Sequence, residues 1–165
     1  MNLLNRYFAP FAALLILSAV HFGEVDTKAR NLAWSVLVVS AVVNWWLSKN
    51  TYRFIGWATR LRQLQIWLTF LWTVPLFWLL HGFWGPMWLL FVMAPVTAAL
   101  YGNMWTVLGM SIVSSGTMLG IYAMHGVEGE IWWGQIGTQA VFIIVMSMFT
   151  YSLAQTALKL RDSSR

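Results

Sequence analysis

Six apolar stretches occupy most of this chain: Leu3–Phe22, Leu32–Leu47, Leu64–Leu80, Trp84–Leu100, Met104–Met124 and Ile131–Leu158. Short polar joints separate them, and no Asp, Glu, Lys or Arg sits at the middle of any. A helix that crosses the hydrocarbon core of a bilayer needs roughly 20 apolar residues, with a range of about 17–25. The second and third stretches reach that length only if their flanks join the helix. The last is long enough to leave the membrane as a helix. A transmembrane β-barrel would instead show segments of alternating polarity, and these stretches are continuously apolar. The sequence therefore predicts an all-α fold, a polytopic bundle of six transmembrane helices over residues 1–158. Residues 159–165 read as a short basic cytoplasmic tail, the start of an output helix.

Composition agrees. Of 165 residues, 59% are hydrophobic and 9% charged, whereas a soluble domain carries about 25% charged residues because its surface must face water. Tryptophan is abundant, and many indoles stand near the ends of apolar stretches: Trp45, Trp46, Trp84, Trp88, Trp132 and Trp133. Such rings favour the headgroup region, with the apolar body inward and the N–H wet. Filling space between helices is the plainer use of the same residues. Cysteine is absent, which excludes disulfides, thiolate metal sites and cysteine catalysis.

The net charge of +5 is a topology signal rather than a nucleic-acid footprint. With the first helix starting inside, Arg6, Lys49, Arg53, Arg60, Arg62, Lys159, Arg161 and Arg165 all face the cytoplasm. Only Lys28 and Arg30 remain outside, together with Glu24, Asp26, Glu128 and Glu130. The positive-inside rule then puts both termini in the cytoplasm, and the expected location is a bacterial inner membrane. The first stretch is not read as a signal peptide, because Gly23-Glu24-Val25-Asp26 offers no small-x-small cleavage pattern. The joints His81-Gly82-Phe83 and Tyr101-Gly102-Asn103 are short enough to force antiparallel neighbours.

Few residues carry evident chemistry. His21, His81 and His125 fall at the outer ends of odd-numbered helices, near the acidic residues, where a metal, a proton or plain water are all conceivable partners. No HxxxH or HxxE spacing puts two ligands on one helix face, so no metal site is assigned. Asn44 and Gln139 lie inside expected spans, where an amide usually bonds to a neighbouring helix and more rarely to a ligand. Ser111, Ser115, Gly116 and Gly120 are small residues one helical turn apart, suited to close packing within the bundle or between two copies. No hydrolase elbow, phosphate loop or paired carboxylates occur, so no enzyme activity and no cofactor are expected. Mid-membrane ionisable groups, the mark of pumps and ion-coupled transporters, are also missing. Past Tyr151, Leu153, Ala157 and Leu160 follow a coiled-coil-like spacing with Gln155, Lys159 and Asp162 on other faces. The chain reads there as though it continued into something longer.

Thr73-Val-Pro-Leu-Phe77, Pro86-Met-Trp-Leu-Leu-Phe91, Tyr122-Ala-Met-His-Gly126 and Phe149-Thr-Tyr151 together resemble the membrane sensor region of the α-hydroxyketone quorum-sensing histidine kinases. The resemblance spans roughly Trp72 to Leu160. It implies a six-helix pocket for a small lipophilic signal with an alkyl tail and a hydroxyketone head. Pocket positions carried over are Trp88 and Phe91 on the fourth helix, and Phe149 and Ala157 on the sixth, with Thr150 and Tyr151 beside them. The chain departs from the family pattern in having Phe91 where a serine stands, which shortens the expected tail slot, and Ala157 where a cysteine stands, which removes a polar contact near the head group. The expected partners are that signal, the lipid bilayer, a second copy in a homodimer and a cytoplasmic kinase module, which these residues do not include. The competing expectation is a small membrane subunit of a transporter or of a larger complex.

Overall fold

The computed structural model describes residues 9–23, 25–51, 58–81, 85–126 and 129–163. Every regular element among them is helical: α1 (Ala9–Phe22), α2 (Thr27–Thr51), α3 (Ala58–Leu80), a 3₁₀ helix (Gly85–Leu89), α4 (Leu90–Tyr101), α5 (Met104–Met124) and α6 (Glu130–Ser163). Within the described residues each apolar stretch is helix, as its length and continuity require, and residues 3–8 of the first lie outside them. The fourth departs from a single α-helix, since Gly85–Leu89 winds as 3₁₀ around Pro86. Proline lacks the N–H that would extend the α-helical ladder and has a fixed φ, so a short, tight turn accommodates it. Trp84 and the Gly82-Phe83 joint lie outside the described residues.

Among the described residues, three helices contain windows long and apolar enough to cross a membrane: Gln63–Leu80, Met104–Met124 and Glu130–Leu160. Pro10–Phe22 and Gly85–Tyr101 are apolar but shorter. The flanks do join the second helix, giving α2 25 residues. They bring Lys28, Arg30 and Lys49 with them, so its apolar middle remains short. At about 1.5 Å per residue, the 34 residues of α6 run for about 51 Å. That exceeds the roughly 30 Å hydrocarbon core of a bilayer.

The chain forms two compact units, one up to Leu90 and one from Phe91 onward. In the first, α3 packs along α2, while α1 lies against α2 and the 3₁₀ helix. The buried side of α3 is Ile66, Phe70, Thr73, Phe77 and Leu80, spaced alternately four and three residues apart. That average of 3.5 holds one seam toward a neighbouring helix. Pro75 sits inside α3 and offers no N–H to the carbonyl of Leu71. Close by, the Thr73 hydroxyl donates to the Thr69 carbonyl at 2.9 Å and lies 3.4 Å from the Leu90 carbonyl, tying α3 to the start of α4.

In the second unit the same spacing recurs on α5, at Val107, Ser111, Ser114, Met118 and Ile121, and on α6, at Ile136, Ala140, Ile143 and Ser147. These seams face each other, for α5 and α6 form the most extensive helix pair in the chain. The Ser115 hydroxyl crosses between them to the Ala140 carbonyl at 3.0 Å. Ser115 precedes the joint after Met124 by about as many residues as Ala140 follows it, so the pair is an antiparallel hairpin. Gly126 (φ 66°) and Gly129 (φ 108°) shape its turn, in a backbone region that costs glycine little and other residues more. No residue of α4 is exposed.

The α4–α5 joint is set by two adjacent residues. A Cβ at Gly102 would stand 2.8 Å from the Ala98 carbonyl oxygen and 3.2 Å from the Thr106 Cβ. Asn103 caps α5, its side-chain oxygen accepting from the Thr106 N–H at 2.8 Å and the Thr106 hydroxyl at 2.7 Å. A lost cap of this type costs about 1 kcal/mol. Asn103→Ala is expected to lower stability by about that amount in detergent unfolding, and Gly102→Ala by at least as much. Gly116→Ala, where a Cβ meets nothing within 4 Å, is expected to leave the isolated chain as stable or slightly more so.

Candidate functional site

Hydroxyls within an apolar hairpin have few places to go. In the second unit, Thr97, Ser111, Thr117, Ser147 and Thr150 each donate to a carbonyl one turn earlier in their own helix. Ser115 bonds across to α6. Such back-bonding satisfies the hydroxyl without a solvent partner. Ser114 breaks the pattern: its residue is 0% exposed and its Oγ has no hydrogen-bond partner. Gln139 is half-buried, and its Oε1 is likewise enclosed and unpartnered.

These two groups belong to one level of the hairpin. The Ser115–Ala140 bond fixes the register, and Ser114 and Gln139 each stand one residue before a partner of that bond. A buried polar group left without a partner costs about 1–3 kcal/mol. A chain that otherwise satisfies its hydroxyls so consistently holds here one hydroxyl and one acceptor oxygen in reserve. In the first unit the Asn44 Oδ1 on α2 and the Trp72 Nε1 on α3 are also buried without partners. Both mid-span amides that the sequence brings forward, Asn44 and Gln139, thus keep an acceptor open. Trp72 carries no signal that distinguishes it from the other eleven tryptophans, and the sequence alone does not find it.

The pocket positions implied by family resemblance occupy several environments. Trp88 lies half-buried in the 3₁₀ helix, and Phe91 is fully buried at the start of α4. On α6, Phe149 is 55% exposed and Ala157 is exposed, so the chain itself does not enclose either. Thr150 and Tyr151 are half-buried, with the Thr150 hydroxyl donating to the Met146 carbonyl at 2.8 Å. Of the small residues on α5, Ser111 and Ser115 are buried in the seam toward α6. Gly116 and Gly120 point the other way, exposed, and a Cβ at either would meet nothing within 4 Å.

The histidines serve helix ends. The Nδ1 of His125 lies 2.8 Å from the Ile121 carbonyl, and that of His81 lies 3.2 Å from the Phe77 carbonyl. Because a carbonyl only accepts, that ring nitrogen must carry the proton. The ring of His21 meets Phe22 edge-on at 4.9 Å between centroids. Among the described residues no three His, Cys, Asp or Glu side chains gather to hold a metal. Near the end of α2, Trp45 and Trp46 are exposed, and the Lys49 Nζ sits 5.2 Å from the Trp45 ring centroid. That is a cation–π contact of a kind suited to a membrane surface. Trp132 and Trp133 are exposed in the first turn of α6.

Comparison with protein-family models, curated proteins and solved structures finds no match for this chain. The arrangement must be tested on its own residues. Interhelical hydrogen bonds in membranes are worth about 0.6–2 kcal/mol, so Ser115→Ala should destabilise the hairpin by that amount. Ser111→Ala, whose hydroxyl bonds only within α5 at 2.9 Å, should cost less. Unfolding midpoints of the two variants in one detergent check the order.

Proposed function

We propose that this chain is the ligand-sensing transmembrane input module of a bacterial signalling receptor, one that binds a small lipophilic signal such as an α-hydroxyketone. The observation that carries the reading is α6. One uninterrupted helix runs from the Trp132-Trp133 pair, through the seam with α5, to Ser163. A rigid element longer than the bilayer core can deliver a change made inside the membrane to whatever lies beyond it. An alkyl chain enters such a bundle readily, since each buried CH₂ contributes about 0.8 kcal/mol. Trp88, Phe91, Phe149, Thr150, Tyr151 and Ala157 are the candidate contacts for the signal. Methionines of the second unit such as Met93 and Met118 are buried there and supply an adaptable apolar surround.

The proposed topology has six crossings with both ends in the cytoplasm of the inner membrane. The proposed assembly is a homodimer acting on a cytoplasmic kinase module. A line of exposed side chains on α6, Phe142, Val145, Phe149, Leu153 and Leu160, supports the dimer. Its first four members recur every three or four residues and Leu160 follows Leu153 by seven, all on the side of α6 away from the α5 seam, as a parallel helix pair requires. A second reading, a small subunit of a transporter or larger membrane complex, is favoured by Gly109, Gly116 and Gly120 on α5. There the backbone lies open to close approach by another helix.

Two experiments separate these readings. In detergent, a bound signal at 100 times its Kd should add about 2.7 kcal/mol of stability. The midpoint of the purified protein should therefore rise with α-hydroxyketones in a chain-length-dependent way and much less in Trp88→Ala. Absence of a shift across the series would move the assignment to the subunit, with partners then sought by co-purification. Because the chain has no cysteine, single replacements report topology directly. Lys49→Cys, Asn103→Cys and Lys159→Cys should be labelled from the cytoplasmic side, and Lys28→Cys and Met124→Cys from the opposite side. A reversed or mixed pattern would replace the six-crossing arrangement.

A further inference from the structure

We propose that the Ser114 hydroxyl and the Gln139 side-chain oxygen form the head-group subsite of this membrane bundle, selecting guests that carry a hydroxyl on an alkyl chain. The inference rests on the ligand-sensing reading above and gives it a location that the family resemblance does not supply. The argument is one of hydrogen-bond capacity. An amide oxygen can only accept, so Gln139 Oε1 needs a donor. A serine hydroxyl both donates and accepts. A single hydroxyl on a guest, placed between them, donates to Gln139 Oε1 and accepts from Ser114. A ketone oxygen can answer Ser114 but leaves Gln139 Oε1 unpaired. The subsite therefore distinguishes an alcohol or hydroxyketone from the matching ketone.

Its placement is unusual for a structural feature. Ser114 lies in the buried seam of α5 and is 0% exposed, yet its Oγ has no partner. The acceptor one residue before Ala140 on α6 is likewise enclosed and unpartnered. The neighbouring hydroxyls at Ser111, Ser115 and Ser147 all find carbonyls, so helix geometry alone does not force the vacancy. Nor is this a matter of small residues packing closely, since the open glycines of α5 lie on another face. Site specificity of this kind is strong because the wrong guest leaves a buried group of the protein unpaired.

The test uses 3-hydroxydecan-2-one and decan-2-one on the purified full chain, with Kd read from concentration-dependent thermal shifts in wild type, Ser114→Ala and Gln139→Leu. The expected result is at least tenfold tighter binding of the hydroxyketone by wild type. Gln139→Leu should lose that preference while keeping its affinity for decan-2-one, and Ser114→Ala should weaken the binding of both compounds, since Ser114 answers either oxygen. Unliganded, Ser114→Ala should unfold no earlier than wild type, because it removes a buried hydroxyl that has no partner in the hairpin. A preference that survives in Gln139→Leu, an unchanged affinity for both compounds in Ser114→Ala, or equal binding of the two compounds by wild type would overturn the subsite and leave the sensor reading standing. Earlier unfolding of unliganded Ser114→Ala would also overturn it, since that hydroxyl would then be satisfied without a guest. If wild type binds neither compound, the hydroxyketone reading fails and the subsite falls with it.

Discussion

Every polar atom in an apolar bundle must find its partner inside the protein, and that constraint explains most of this structure. In water an unpaired hydroxyl or carbonyl finds solvent, whereas in hydrocarbon it bears the full desolvation cost. Helices answer it for the backbone. For side chains the answer is local: Thr69, Thr97, Thr117, Thr138, Ser147 and Thr150 all turn their hydroxyls onto carbonyls of the preceding turn. Where the backbone pattern is interrupted, another polar group stands close. Thr73 lies between Pro75 and the first residue of α4, with its hydroxyl directed at Thr69 and Leu90 carbonyls. Asn103 serves the open N–H groups at the start of α5 in the same way.

The second constraint is how helices meet when apolar burial does not discriminate protein from lipid. Contact then depends on shape and on the occasional hydrogen bond between helices. The seams on α3, α5 and α6 show this in their spacing, and in the α5–α6 pair the residues are small or slender: Ser111, Ser114, Ser115, Ala140 and Ser147 beside Val107, Ile136 and Ile143. Serine occupies little volume and brings one donor. The hairpin thereby gains close backbone approach at Ser115–Ala140 without glycine at the contact. Glycine stands instead at the joints, where Gly102 fits beneath the Ala98 carbonyl, and at open positions of α5 and α6.

Much of this was legible in the sequence. Continuous apolar stretches give helices, and their ends appear where Gly23, Gly102-Asn103 and Gly126–Gly129 interrupt the pattern. Asn44 and Gln139 are conspicuous because an amide is costly in a stretch such as Trp132–Leu158, and both retain unpartnered oxygens. The division of the fourth stretch into 3₁₀ and α-helix was less legible, because apolar content is blind to backbone winding. The difference between Ser114 and Ser115 was not legible at all. They are adjacent, chemically identical and both buried; only the rotation of α5 against α6 gives one a carbonyl and the other nothing. The same rotation decides that Gly116 is open, a distinction that GxxxG spacing cannot make.

Those facts bear on how a signal would travel. A ligand shifts a conformational equilibrium only by its differential affinity for the states involved. Two unpaired groups on opposite helices of one hairpin give that differential a physical origin, because a hydroxyl can satisfy both only in the arrangement that brings them within reach of one oxygen. The Ser115–Ala140 bond lies beside them, so a change of register at this level would alter that bond too. Since α6 is continuous from Glu130 to Ser163, a rotation or sliding set at Gln139 would, on the proposed reading, be carried along the helix to the exposed Leu153 and Leu160. Sensing and output would then share one helix. The cost of keeping Ser114 unpaired in the empty state would be the source of the bias, and a fully bonded core at this level would have nothing for a guest to change.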